Sequence, residues 1–538
     1  MAPRIRIYRA EKLLCETKGT TGETLHHCII AAGVTMDAPC GGQGKCRKCL
    51  VRLTPGGSPV LACRTEISGN TEVYLPEEHE MRIAGAGAAE TCDGGAGIKA
   101  TGTADMENTA AGPGSDELTA PEAKFGVAVD IGTTTVVVHL TDIMTGRRIS
   151  TASGVNAQRP YGADVISRIK YSAENSHERL TQLIREEISS LIRHTCEVSG
   201  VRESDIEYIS IAANTIMEHL AAGYSPVGMG LVPFTPVSLF GDETPAWEEL
   251  PVAKTALIYY APAITSYVGG DITAGMLAAG MEKTSGPAIY LDIGTNGEIV
   301  MKYGDRYYCC ATAAGPAFEG AEITMGMAAV DGAISHVRWD GELKLTVIGD
   351  VKPAGLCGSG LIDALALLLE TGAVDETGKL LGPDGTEHGI SKHIEELEGK
   401  NIFRLTEGEN GVYITATDVR KLQLAKSAVA AGIQTVLHHA GIKEEQVTAF
   451  VLAGGFGSFM DLFSAARIGL FPKRFLPVAR TLGNTAGEGA ALALCSGAVR
   501  EALGDIRERC EYIELSTSLV FNEQFVEQMM FDGWEELV

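Results

Sequence analysis

FGVAVDIGTTTVVVHL (residues 125–140) and AIYLDIGTNGEIVM (residues 288–301) share one design. Each is an apolar run rich in β-branched residues, an Asp-Ile-Gly-Thr turn, and a second apolar run, which predicts strand, sharp turn, strand. Two copies in one chain predict a duplicated fold. A third run, FVLAGGFGSF (450–459), again ends an apolar strand in glycine, and a helix is expected after it. Glycine in such turns lets backbone N–H groups approach phosphate oxygens closely, and threonine hydroxyls add donors. Gly132, Thr133, Thr134, Gly294, Thr295 and Asn296 are therefore candidate phosphate-cradling residues. Gly454, Gly455 and Gly457 form this third turn. The acids ending the first strand of each copy, Asp130 and Asp292, can hold Mg²⁺ through water beside phosphates and position an attacking water. One turn alone reads equally as a β-hairpin; the repeat and the later Gly-Gly turn favour a nucleotide site. No G-x4-G-K-[ST] occurs, which excludes a Walker-type loop.

Upstream lies a second motif, MDAPCGGQGKCRKCLVRLTPGGSPVLAC (36–63). Cys40, Cys46 and Cys49 follow C-x5-C-x2-C, and Cys63 comes after a longer gap. Three thiolates on a glycine-rich loop and a fourth from a separate strand is a way to hold a [2Fe–2S] cluster. Gly41, Gly42 and Gly44 let the backbone curl and aim N–H groups at sulfur. Zinc is the rival, since four cysteines also make a tetrahedral site. Structural zinc generally uses paired C-x2-C knuckles, and here the outer two cysteines stand singly.

Net charge is −25, which argues against nucleic acid or an anionic membrane as partner. The chain is 45% hydrophobic but has no uninterrupted apolar run of about eighteen residues, so no membrane span is expected. The start, MAPRIRIYRAEKLL, lacks an apolar signal core and alternates like a strand. Thirteen cysteines, an odd count without a secretory signal, fit a reducing cytoplasm.

Residues 1–78 read as a small α+β unit of the β-grasp ferredoxin plan. Ile5 and Ile7 alternate with arginines; Thr20 and Glu23 form an expected capping box before LHHCIIAAG, with Gly33 as C-cap. Cys28 falls on the apolar face of that helix and reads as core, as does Cys15 on a strand. Residues 79–124 change character: nineteen of them are Ala or Gly, none is aromatic, and Pro113 and Pro121 interrupt them. Such a stretch reads as a linker, with Cys92 incidental in it. The expected organisation is a ferredoxin-like domain (1–78), the linker (79–124), a middle region or first part of an ATPase lobe (125–205), and the rest of an α/β ATPase (206–538).

The paired turns are similar to the phosphate-1 and phosphate-2 motifs of the actin, sugar-kinase and heat-shock-chaperone (ASKHA) ATPases, and LAGGFG (452–457) to their adenosine motif. GGDITAG (269–275) falls where that superfamily's first connecting helix lies, and LGNTAGEGAALAL (482–494) where the second lies. The resemblance implies two RNase H-like lobes with ATP between them, and makes Asp271 a candidate for orienting water. A ferredoxin domain joined to this ATPase resembles one family, the reductive activators of corrinoid proteins. NAQRPYGADVISRI (156–169), AANTIMEHL (212–220), ATAAGPAFEGAEITMGM (311–327) and GLCGSGLIDAL (355–365) are family-like blocks. The resemblance implies a homodimer that takes an electron from a low-potential donor and uses ATP. The electron would pass through the [2Fe–2S] cluster to an inactive Co(II) corrinoid of a methyltransferase partner, restoring Co(I).

Other residues keep two readings each. Glu298 reads as a strand surface residue or a cleft carboxylate. GPAFEG (315–320) reads as a structural loop or as a lining of the nucleotide cleft through Gly315 and Glu319. Adjacent Cys309 and Cys310 read as buried strand cysteines, and Cys196, Cys357, Cys495 and Cys510 as core without partners. Two alternative functions stand beside the first. One is an activator of a radical 2-hydroxyacyl-CoA dehydratase, with a cluster across the dimer interface. The other is an ASKHA kinase or ATPase with a ferredoxin sensor, which requires a compact substrate pocket.

Overall fold

A computed structural model describes residues 2–9, 12–34, 36, 49–55, 57, 59–76, 124–320, 322–386, 389–408, 411–455 and 459–531. The linker expected at 79–124 lies, but for Lys124, outside the described residues, as do Cys40, Cys46 and Gly457.

The N-terminal unit is a ferredoxin-like β-grasp. Strand β1 (Arg4–Arg9) alternates as its sequence demands and sends Ile5 and Ile7 into the core. It pairs antiparallel with β2 (Lys12–Lys18) and parallel with β5 (Thr71–Leu75); helix α1 (Leu25–Ala31) covers the sheet with Leu25, Cys28 and Ile29. The helix starts later than the Thr20–Glu23 box implied. Thr24 is the N-cap, its Oγ1 accepting from His27 N at 3.3 Å, while Thr20 N donates to Glu23 Oε2 at 2.9 Å inside the preceding turn. The cause is long-range: Glu23 O and Leu25 N bond to Ile67 and Thr65, which holds the chain extended there. Gly33 follows the helix with φ +76°, a value that suits glycine. Cys28 is core, and burial pushes its thiol up to about 11; Cys15 is only half-buried. A short ladder of β3 (Leu50–Val51) and β4 (Val60–Leu61) brings Cys49 and Cys63 together.

Two α/β lobes follow. In lobe I the meander β6 (Phe125–Ile131), β7 (Thr135–Asp142), β8 (Arg147–Val155) leads to helices α2 (Val165–Asn175) and α3 (Glu178–Ser199). Strand β9 (Ile206–Ala213) pairs parallel with β6, helix α4 (Thr215–Ala222) follows, and β10 (Glu243–Pro245), β11 (Leu257–Tyr260) and α5 (Gly270–Ala278) complete the lobe.

Lobe II repeats the meander with β12 (Ala288–Ile293), β13 (Gly297–Tyr303) and β14 (Arg306–Thr312). An insertion then carries β15 (Ala333–Trp339), β16 (Leu343–Val347), β17 (Gly355–Leu356), α6 (Gly358–Glu370), β18 (Ile394–Leu397), β19 (Lys400–Arg404) and β20 (Tyr413–Thr415). Helix α7 (Ala416–Ala440) returns the chain to β21 (Ala449–Ala453), α8 (Leu462–Arg467) and β22 (Ala479–Thr481). The chain ends in α9 (Thr485–Cys495), α10 (Gly497–Arg509), β23 (Cys510–Tyr512) and α11 (Leu519–Glu527).

The two large sheets run β10-β11-β9-β6-β7-β8 and β22-β21-β12-β13-β14-β23. Counting strands within each lobe, β8-β7-β6-β9-β11 and β14-β13-β12-β21-β22 have the same order and the same directions. The duplicated Asp-Ile-Gly-Thr turns are therefore equivalent points of two like folds.

The connecting helices are exchanged between the lobes. Helix α5, which ends lobe I, packs Ile272 and Met276 against Tyr290, Val300 and Val451 of the lobe II sheet. Helix α9 packs Ala486, Ala490 and Leu494 against Ala128 and Ala212 of lobe I. They cross through glycine: a Cβ on Gly489 would lie 2.2 Å from the Ala274 carbonyl oxygen.

Cys309 and Cys310 are fully buried in β14, as expected, and Cys196 and Cys357 are core. Cys495 and Cys510 are half-buried instead, at the ends of α9 and α10 where packing thins. Cys510 does have a neighbour, Cys309, whose thiol is held protonated by that contact and by burial.

Candidate functional site

Both Asp-Ile-Gly-Thr turns face the cleft between the lobes. The first is clamped from behind by buried side chains. Asn156 Nδ2 donates to Gly132 O at 2.9 Å, and Asn156 N to Thr134 O at 2.9 Å. Arg168, wholly buried on α2, donates to Thr133 O, to Gly162 O at 3.0 Å and to Gln158 Oε1 at 3.0 Å. Burial, and then Arg159 nearby, lowers its guanidinium to about 9. Asn214, the N-cap of α4, reaches Thr133 Oγ1 at 3.4 Å. These contacts hold the turn's carbonyls from behind.

Asp130 and Asp292 end equivalent strands and share the cleft with Asp271 at the start of α5 and Glu298 on β13. Burial raises all four. The Asp130 carboxyl is pushed up to about 7, opposed by an Asn484 hydrogen bond and reinforced by Asp292. Asp292 rises to about 6, held back by Tyr290. Asp271 rises to about 8 through burial and the charges of Asp292 and Asp130. Glu298, which pairs with Asp292 across β12 and β13, is raised well above its usual range by burial, Asp271 and Asp292. Of its two readings, the cleft carboxylate is therefore the one realised. Carboxylates that repel one another in a low-dielectric cleft favour a divalent cation, whose charge offsets both repulsion and burial.

Helix α9 reads two of these acids at its N-terminus. Asn484 Nδ2 donates to Asp130 Oδ2 at 2.6 Å, and its Oδ1 caps the helix by accepting from Gly487 N at 2.7 Å. The Tyr290 hydroxyl donates to Asp292 Oδ2 at 3.1 Å and lies 2.8 Å from Thr485 Oγ1. Gly275 makes room for that hydroxyl, since a Cβ there would lie 2.2 Å from it.

In the second turn, Thr295 Oγ1 donates to Glu319 Oε1 at 2.8 Å. Burial raises Glu319; Thr295 and the positive charges of Arg159 and Arg168 oppose the rise. Gly315 has φ +78° and, with Thr133, Thr295 and Asn296, lines a cavity of about 130 Å³. The 315–320 stretch thus lines the cavity through Gly315 and Pro316, while Glu319 reaches the second turn through Thr295. Gly454 (φ +92°) and Gly455 follow β21, and a Cβ on Gly454 would lie 2.6 Å from Asp292 Oδ1, so no larger residue fits.

The other candidate site is only partly within the described residues. Cys49 Sγ and Cys63 Sγ lie 3.2 Å apart, both buried. Two thiolates on one tetrahedral metal, with bonds of about 2.3 Å, stand about 3.8 Å apart. A small opening of the pair suits them to a shared metal, and their chemistry fits an iron–sulfur cluster.

Sequence reasoning missed Arg168, Asn484, Tyr290 and Glu218, although all lie in or beside quoted blocks. Glu218 is fully buried behind Asp271, which with burial raises it well above its usual range; a Cβ on Gly270 would lie 2.4 Å from its Oε1. A polar residue on the buried face of an apolar helix, as in TIMEHLAA, was the available signal.

The family model described as the RACo middle region matches residues 125–284, and the C-terminal ASKHA domain of RACo matches residues 286–536. A corrinoid activation enzyme of Eubacterium limosum, RamQ, is 31% identical over 588 aligned positions, covering 96% of this chain and 98% of that one. The [Co(II) methylated amine-specific corrinoid protein] reductase of Methanosarcina barkeri is 25% identical over 76% of this chain and 77% of its own. Among solved structures, a reductive activator for a corrinoid, iron–sulfur protein superposes with a TM-score of 0.68 at 30% identity, covering 98% of both chains. With two like lobes, paired Asp-Ile-Gly-Thr turns and an end-to-end match to an activation enzyme, the chain belongs to the RACo family of corrinoid activators.

Proposed function

We propose that this chain is an ATP-dependent reductive activator. It passes one low-potential electron to a Co(II) corrinoid protein of a methyltransferase system, regenerating Co(I), and hydrolyses ATP between its lobes. The observation that carries this reading is the cluster of buried, raised carboxylates Asp130, Asp271 and Asp292 where the two Asp-Ile-Gly-Thr strands end, in a chain that aligns along its whole length with an enzyme named for corrinoid activation.

In this reading Cys40, Cys46, Cys49 and Cys63 hold a [2Fe–2S] cluster within the first 78 residues, and 79–124 tethers it to the ATPase. Such a cluster accepts and gives one electron at a time. Gly132, Thr133, Thr134, Gly294, Thr295 and Asn296 receive the phosphates, while Gly454, Gly455 and Gly457 border the nucleoside. Asp130, Asp271 and Asp292 face Mg²⁺ and its waters, and Gly315 and Glu319 close the phosphate end. Residues 125–205 form the first part of lobe I, and 206–538 the rest of the ATPase. A low-potential donor, a homodimer and the cytoplasm complete the proposal.

The geometry weighs against one competing function. A dehydratase activator needs thiols at a subunit interface, and Cys309 and Cys310 are fully buried within β14. ATP assists an uphill reduction only by binding two conformations with unequal affinity.

The test is anaerobic: reduced protein is mixed with a Co(II) corrinoid methyltransferase component and Co(I) absorbance is followed with and without Mg-ATP. Co(I) formed only with ATP, and not by Cys46→Ser, supports the reading. Robust ATPase activity without Co(I) on any of several corrinoid proteins would overturn it.

A further inference from the structure

We propose that Asp164 is the residue that takes a proton from the water attacking the terminal phosphate of ATP; this rests on the ATPase reading above. The four raised carboxylates Asp130, Asp271, Asp292 and Glu298 crowd one another, as a cation site requires, but none of them lines the cavity beside the phosphate turns. Thr133 lines it from the first turn, Thr295 and Asn296 from the second, and Val165 and Pro316 give it apolar walls. Asp164 is the ionisable side chain among the described residues that line it.

Its position is fixed rather than incidental. Asp164 is the N-cap of α2, one carboxylate oxygen accepting from Ser167 N at 2.7 Å. One turn along that helix, the buried Arg168 guanidinium grips Thr133 O, so one side chain locks the acid's helix to the first phosphate turn. A carboxylate that lines the cavity which both turns also line is placed to accept a proton from a water held there. In the step, the water oxygen bonds to the terminal phosphorus and the bond from phosphorus to the ADP oxygen breaks, its electron pair leaving with ADP. The water's proton passes to the Asp164 carboxylate and from there to solvent.

Two substitutions separate chemistry from capping. Asparagine caps a helix about as well as aspartate, so Asp164→Asn keeps the fold of α2 and removes the base; Asp164→Ala removes both. The full-length protein is assayed for ATP turnover, ATP affinity by calorimetry, and melting temperature. Both variants are expected to lose about 100-fold or more in kcat, with ATP affinity within about twofold of the parent and Asp164→Asn melting like the parent. Parent-like turnover by Asp164→Asn, with or without a loss in Asp164→Ala, would reduce Asp164 to a helix cap and overturn the proposal. So would a loss of ATP affinity that accounts for the whole fall in rate. A parent protein that neither binds nor hydrolyses ATP would instead sink the ATPase reading itself, and this assignment with it.

Discussion

Replacing Asp271 by asparagine should stabilise the protein in the absence of nucleotide and divalent cation, and the gain should grow with pH. The Asp271 carboxyl is raised to about 8 in the folded protein, against an ordinary 3.8 in an unfolded chain. Between those values the folded state holds a proton that the unfolded state has released, so folding becomes less favourable as pH rises. One proton corresponds to about 1.36 kcal/mol per pH unit. Integrated from about pH 6 to pH 8, with titration half complete at the upper limit, the penalty grows by roughly 2 kcal/mol. An amide at this position carries no such penalty. At about 2 cal/mol/K of unfolding entropy per residue over the roughly 400 residues of the two lobes, each kcal/mol moves Tm by roughly 1 °C. The variant's Tm advantage should therefore widen by roughly 2–3 °C between about pH 6 and pH 8. The assay is thermal melting by circular dichroism in EDTA at both pH values. An advantage that is equal at the two values, or that shrinks with pH, would refute the assignment of a proton to this carboxyl. Mg-ATP should raise the Tm of the parent more than that of the variant, since the acid that destabilises the empty cleft is one proposed to face the cation.

Three further outcomes follow from the geometry. Asn484→Ala removes the donor on Asp130 and the cap of α9, so Mg-ATP affinity measured calorimetrically should fall about 10-fold or more; unchanged affinity would show that α9 does not sense the cleft acids. Gly489→Ala puts a methyl group 2.2 Å from the Ala274 carbonyl. It should cost about 1–3 kcal/mol in urea denaturation by forcing α5 and α9 apart, and parent-like stability would mean the crossing is looser than it is drawn here. Cys63→Ser should abolish bound iron and the visible absorbance of the cluster while leaving ATP hydrolysis intact; full iron content would remove Cys63 from the ligand set.

Local patterns were the legible part. The Asp-Ile-Gly-Thr turns announce themselves because strand, glycine turn and strand are set by near neighbours, and their repetition correctly implied two like lobes. Thr295 and Glu319 were each singled out from their own blocks, but the hydrogen bond between them was not legible. What stayed hidden depends on contacts between distant segments. Asn484 meets Asp130 across 354 residues, and nothing near LGNTAG marks that pairing. Arg168 is a charged residue that composition would place in solvent, yet it is buried because Thr133 O in the first turn and Gln158 Oε1 and Gly162 O ahead of α2 satisfy it. The N-cap of α1 moved from Thr20 to Thr24 for the same reason, as pairing with residues 65–67 overrode a local box. Glu298 kept two readings until the register of β12 against β13 set it beside Asp292.

The exchanged helices have a consequence for how the chain can be divided. A cut between residues 284 and 286, where one sequence module ends and the next begins, leaves lobe I holding α5 without the sheet it covers. It also leaves lobe I's own alanine face, Ala128 and Ala212, bare of α9. Each fragment would expose an apolar face that the other covers, so the two should be more soluble when produced together than apart.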